Sequence, residues 1–415
     1  MTETTGGTGE SVSPEARELL SVLAFLGPSP VPLWLFAEGC ARLPPPLDSA
    51  AGAGTGALET TVRELAGAGL ARLTDDGAAL QPRVAAAVRE SLTGVARSRG
   101  VGTALALLDD AFPERVGREA DVARCELLAP GIEAAAGHVA GGGRSTERAA
   151  HLLARLGSFR ALSGRPEQAR LALRRAVALA EGREGGGPIE GPLRAVLADE
   201  HAAVLAELDR PEEAADEARR AASLARELLP AGAPQLPVFL LNIGRTLHRA
   251  GDAAGADGAL REALERAEVA DSPAARPLVV EARLALAEVA LGEGRPEAAA
   301  GAARGALEAV DEERAPGLAA RATWILADAL GESGAAEEAT RFYRKSLELD
   351  ARRYGARHPG VGQKALGLGL HLERRGLAGE AEEAYERALS IFDETPGPDS
   401  EPARAARSCL ERVRS

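Results

Sequence analysis

Sulfur and aromatic rings are scarce in this chain, which has three cysteines, one methionine, two tryptophans, three tyrosines and seven phenylalanines in 415 residues. Cys40, Cys125 and Cys409 are far apart, odd in number and without metal-ligand spacing, which excludes a disulfide framework and reads as three buried structural thiols. With 45% hydrophobic but only 3% aromatic residues, a core has to be built from Ala, Leu and Val. Such a core suits closely packed helices better than a β-sandwich. Lysine is nearly missing too, with Lys345 and Lys364 alone among 49 basic residues, and the net charge is −13. An acidic chain without a basic block repels nucleic acid and anionic membranes. The most apolar early stretch, 22–36, is broken by Pro and Gly before it could span a bilayer, and no basic-then-apolar leader precedes it. The expectation is a cytoplasmic location with no membrane partner.

Chemistry is equally short of motifs. No Gly-x4-Gly-Lys-Ser/Thr loop occurs, so no phosphates can be cradled in that manner, and no Gly-x-Ser-x-Gly elbow is present. The six histidines (138, 151, 201, 248, 358 and 371) fall in no metal-ligand spacing. Asp75-Asp76 and Glu212-Glu213 are more simply a turn and a first helical turn. The chain therefore reads as non-enzymatic, with no catalytic residues, no cofactor and no metal.

What the chain has is a repeat. Gly376-x4-Ala381-x3-Tyr385-x2-Ala388 recurs upstream with its turn at Gly334, Gly294, Gly251, Asp209 and Gly164. The alanine that follows each turn lies at 169, 214, 256, 299, 339 and 381, in steps of 45, 42, 43, 40 and 42. Seven residues before each turn stands a small residue: Gly157, Ala202, Gly244, Ala287, Ala327 and Gly369. Two helices must approach closely there. Apolar residues recur three and four apart within each copy, and Gly-Arg-Pro-Glu at 164–167 and 294–297 ends one helix and starts the next. One hairpin cannot bury its apolar face alone, so stacking into a solenoid follows.

These residues resemble a tetratricopeptide repeat array, with a period similar to the roughly 42-residue repeat of kinesin light chains. Tyr354-Gly355-Ala356-Arg357-His358-Pro359 is similar to the Leu-Gly-x-x-His-Pro linker of those repeats. Asp209 in place of Gly departs from the pattern, as does the lack of a regular early aromatic apart from Trp324.

Ahead of the array, Ser13-Pro14-Glu15 caps a first helix, 16–26, and Val31 to Phe36 opens a second. Residues 44–56 read as a loop. A third helix, 58–68, precedes two short alternating runs around Asp75-Asp76-Gly77, which read as a hairpin. Three helices and a hairpin make a winged helix. Residues 14–99 hold eight arginines against nine acids, and the third helix carries Arg63 beside Glu59 and Glu64, which is poor in cations for a DNA-recognition helix. A winged-helix DNA-binding regulator with a repeat sensor is the alternative function; nucleic acid is not the expected partner.

Residues 19–33, 65–70 and 121–130 also resemble the winged-helix portion and connector helix of bacterial NB-ARC signalling proteins, which often continue into tetratricopeptide repeats. That resemblance implies the sensor part of a signalling or defence switch, working with a separate NTPase or effector chain. The His that usually follows the wing is replaced here by Gln81-Pro82-Arg83-Val84.

The expected fold class is all-α, a right-handed α-α superhelix preceded by a small winged-helix domain. Its expected segments are a disordered tail (1–12), the winged helix (13–99), connector helices (100–146), six repeats (147–395) and a capping helix (396–415). Resemblance places groove-facing side chains two before and one past each small residue. Leu241-Asn242-Ile243-Gly244-Arg245 resembles the family's Leu-Asn-x-Leu-Gly, whose Asn grips a peptide backbone. Asn242, Arg245 and His248 are therefore the first peptide-binding candidates, with Arg155, Ser158, Glu288, Arg321 and Asp328 completing the set. The implied function is an interaction scaffold or sensor holding a partner's peptide or helix on the concave face.

Overall fold

The computed structural model describes residues 12–184, 187–270 and 274–415. Of the tail expected over 1–12, only Val12 lies among them, and it is buried. The described residues form twenty α-helices and one two-stranded hairpin, an all-α fold. The chain divides into two compact units, residues 1–224 and 225–415.

The first unit begins with α1 (Pro14–Leu23), α2 (Leu33–Glu38), α3 (Leu47–Gly52) and α4 (Thr55–Gly67), followed by β1 (Ala71–Thr74) and β2 (Gly77–Leu80). The expected cap is present, with the Ser13 hydroxyl accepting from the Ala16 amide at 3.2 Å and donating to Glu64 at 2.7 Å. The hairpin is antiparallel with Ala71 opposite Leu80, and Val31 bridges to Ala78 on the other side of β2. Only glycine fits at 77, where φ is 134° and a Cβ would lie 2.0 Å from the Val31 carbonyl oxygen. One expectation is corrected: the supposed loop over 44–56 contains α3, whose Leu47 and Ala51 are buried, so the helix before the hairpin is the fourth. The proline run Pro44-Pro45-Pro46 masked a short helix that tertiary burial stabilises.

Next come α5 (Pro82–Ser91), α6 (Gly94–Ala111) and α7 (Glu119–Ala136), then the hairpins α8 (Arg144–Leu162)/α9 (Pro166–Ala180) and α10 (Leu193–Glu207)/α11 (Pro211–Leu228). A single apolar cluster runs from Leu19, Phe25 and Phe36 through Leu105 and Ile132 to Leu153 and Leu173. Among the helices after the hairpin, α6 packs on α1, α2 and α8, while α5 packs on α1 and α7 on α6 and α8.

The second unit stacks α12 (Leu236–Arg249)/α13 (Ala253–Val269), α14 (Arg276–Gly292)/α15 (Pro296–Ala309), α16 (Pro316–Glu332)/α17 (Ala336–Tyr354) and α18 (Pro359–Arg374)/α19 (Ala378–Glu394), closed by α20 (Glu401–Arg414). Each helix packs on the next, and the first helices of consecutive hairpins also meet, α12 on α14 and α14 on α16.

The repeat signature has a direct structural meaning. All six recurring alanines are fully buried. A Cβ on Gly157, Gly244 or Gly369 would come within 2.7, 2.6 or 2.5 Å of Leu173, Leu260 or Tyr385, each four residues after the recurring alanine. Glycine stands opposite Leu173, Leu260 and Tyr385, and Ala202 and Ala287 stand where the corresponding residues are Ala218 and Ala303; the fifth repeat departs from this pairing, with Ala327 where the corresponding residue is Tyr343. At each turn the amide of the following residue reaches back five residues, for example Arg165 to the Arg160 carbonyl at 2.9 Å and Leu377 to Leu372 at 3.0 Å. Asp209 makes the same turn at φ 55°, the one positive φ among described non-glycine residues. Asp tolerates that conformation, so the departure at 209 leaves the hairpin intact. No described helix is long and apolar enough to cross a membrane.

Candidate functional site

In the second unit three consecutive first helices present charged side chains to one hollow of about 330 Å³. Its walls are Arg245, His248 and Arg249 of α12, Leu260 of α13, Ala285 and Glu288 of α14, and Arg321 of α16. The placement follows from helical spacing. Arg245 and Arg249 are one turn apart on α12, and Glu281 and Glu288 two turns apart on α14. Arg321 donates to Glu288 at 2.7 and 3.2 Å and stands 3.9 Å from Glu281, which also pairs with Arg245. A zigzag of alternating charge therefore crosses α12, α14 and α16. Arg249 is exposed and takes no part in an ion pair among the described residues. The His248 ring lies against Gly292, 3.3 Å from where a Cβ would be.

Four of the expected residues, Arg245, His248, Glu288 and Arg321, thus share one hollow. Asn242 is exposed on α12 but does not line it; its carbonyl accepts from the Thr246 hydroxyl at 3.2 Å. Arg155 and Ser158 belong to the first unit. Arg155 is spent on Asp109, at 2.9 Å, and on the Phe112 carbonyl, and so ties α8 to α6. Ser158 is exposed, and its hydroxyl acts to lower the pKa of Glu200. Burial, with the Asp199 charge adding to it, pushes the Glu200 carboxyl up to about 7, and its Oε2 is buried without a partner. Ile325, also at an expected groove-facing position, is instead in the core.

Asp328 lies in a second cluster of the same unit. It accepts from the Tyr343 hydroxyl, and burial raises its carboxyl above the usual range. Trp324 packs edge-on to Tyr343 with centroids 4.7 Å apart, and the Lys364 ammonium sits 4.5 Å over the indole. Lys364 also donates to Ser346 at 2.8 Å and lies 3.6 Å from Asp350; burial lowers its pKa from the ordinary lysine value. The indole has space because residue 367 is glycine, whose Cβ would stand 2.6 Å from the ring.

Arg249, Glu281 and Lys364 were missed as site residues in the sequence. A signal existed for Arg249, four residues after Arg245 on one face. None existed for Glu281, whose role depends on which helices meet. A larger apolar hollow of about 640 Å³ lies among Pro234, Pro237, Val238, Val269 and Leu278. In the first unit, Arg63 of α4 is engaged by Glu59 at 2.8 Å.

The fold and the repeated hairpins define an all-α helical-repeat protein. Residues 318–394 match the tetratricopeptide repeat family model. Among solved structures, the chain is similar to a signal transduction ATPase with numerous domains, carrying a tetratricopeptide repeat sensor, from Pyrococcus horikoshii. The identity is 14% and the TM-score 0.48, over 100% of this chain and 62% of that one. The chain thus spans less than two thirds of that protein's length. It is also similar to a putative kinesin light chain with nearly identical repeats from Podospora anserina (17% identity, TM-score 0.42, 50% of this chain and 99% of that one). BtubC from P. vanneervenii is a further neighbour (15% identity, TM-score 0.46, 58% and 94%). No curated protein matches the chain in sequence.

Proposed function

We propose that the chain is a non-enzymatic scaffold or sensor that holds a peptide or helix of a partner protein on the face formed by α12, α14 and α16. The observation carrying this reading is the hollow in which Arg245, His248, Glu288 and Arg321 meet. Three helices contribute, so a bound segment would cross the repeats and gather many modest contacts. The N-terminal elements over 13–99 would act as a winged helix, 100–146 as connector helices, 147–395 as six repeats and 396–415 as the cap. The resemblance of residues 19–33, 65–70 and 121–130 to NB-ARC signalling proteins supports a role in a signalling or defence system.

The test is affinity capture from a lysate of the source organism, comparing the native chain with a His248→Ala/Arg249→Ala/Arg321→Ala variant of unchanged helicity and melting temperature. A partner kept by the native chain and lost by the variant supports the reading. Identical retention by both overturns it.

A further inference from the structure

We infer that the hollow on α12, α14 and α16 takes the side-chain carboxylate of an aspartate or glutamate inside a partner segment, with Arg249 as its principal contact. This rests on the binding face proposed above and assigns its chemistry.

Charge is the first argument. The chain as a whole carries −13, yet this hollow gathers three guanidinium groups and an imidazole. Arg245 and Arg321 are already neutralised by Glu281 and Glu288, which leaves one positive charge unmatched, on Arg249. A planar guanidinium with five donors and no partner suits a carboxylate, which it can meet with two parallel hydrogen bonds. Other anions fit less well. A phosphorylated side chain brings about two negative charges beside Glu288, where a single surplus positive charge stands. A basic segment would face Arg249 directly.

Geometry is the second argument. On α12 the exposed Val238 and Asn242 lie two turns and one turn before Arg245 on the same face, and on α16 Trp324 lies one turn after Arg321. Surface that continues past the charge on both sides fits a chain running through, and not one ending there. The hollow is also wide enough, at about 330 Å³, for a short acidic side chain to enter.

The experiment selects binders to the full chain from a displayed library of a dozen randomised residues flanked by protein on both sides, so that no free carboxyl terminus is offered. Expected is enrichment of Asp or Glu at one register. A selected peptide should bind Arg249→Gln roughly tenfold more weakly, the size of one charge-assisted hydrogen bond. It should weaken similarly when its own acid is changed to the amide. Arg249 is exposed and unpaired, so this variant keeps the native fold. Selected peptides without acidic enrichment, or with affinity indifferent to Arg249→Gln, overturn the carboxylate assignment and leave the binding face standing. Selection of nothing, together with identical captures in the preceding test, overturns the face as well. Enrichment only when free carboxyl termini are offered replaces the side chain with a chain end and also overturns the inference.

Discussion

At the residue scale the close approach of helices rests on pairs such as Gly157 and Leu173. A Cβ on residue 157 would reach 2.7 Å from Leu173 Cγ, so Gly157→Ala forces a shift expected to cost about 1–3 kcal/mol. In a Leu173→Ala background the same change should cost much less, because the obstructing branch is gone. Urea unfolding of the four proteins measures the coupling, and additive costs would refute the pairing. Two carboxyls set opposite pH dependences. Glu373 accepts from Arg412 at 2.6 and 2.8 Å and from the Tyr385 hydroxyl, which holds its pKa down to about 2. Since the folded value lies below the unfolded one near 4.3, its contribution is present above about pH 5 and lost as pH falls toward 2. Arg412→Gln should flatten that acid limb in pH-dependent melting. Glu200 runs the other way. Its pKa, pushed up to about 7 by burial, means the folded state favours the protonated acid, so stability falls as pH rises from about 4.5 to 7. Glu200→Gln should leave stability near pH 4 unchanged and raise it on the order of 2 kcal/mol at pH 8.

At the element scale each hairpin depends on a left-handed residue at its turn. Gly164, Gly251, Gly294, Gly334 and Gly376 have φ between 66° and 86°, and Asp209 has φ 55°. Asp209→Gly removes the Cβ penalty and is expected to stabilise by up to about 1 kcal/mol, whereas Asp209→Val should destabilise by more than that. Chemical denaturation of the three proteins checks the order. The turn is legible in sequence because it needs a residue type at a fixed offset. By contrast, α3 was hidden: three prolines and several small residues look like a linker, and only burial of Leu47 and Ala51 against α1, α2 and α4 makes a helix there.

At the scale of the whole molecule, stability is a property of stacking, because each hairpin leaves an apolar face for its neighbour. In the second unit the last face is covered by α20, whose Ala403, Ala406 and Leu410 join the cluster that holds Tyr385, Ile391 and Phe392. Removing residues 397–415 should expose that face, lower the thermal midpoint and increase binding of a hydrophobic dye. An unchanged midpoint would show that α19 needs no cover.

The sequence by itself determined the turns of the hairpins and the small residues at their crossings. Those features are written in offsets of three, four and seven residues within a segment, and local geometry reads them out. It also determined that Arg245 and His248 share a face with their helix neighbours. The tertiary structure alone decided which charges meet. Arg245 pairs with Glu281, 36 residues away, and Arg321 with Glu288, 33 residues away, because α14 lies between α12 and α16. It also withdrew Arg155 into a tie with Asp109 and Asp328 into a bond with Tyr343. Glu288 and Asp328, each one residue past the small residue of its repeat, thus end in different roles, since an ion pair depends on the distance between charges in space and periodicity specifies only the helix that carries them.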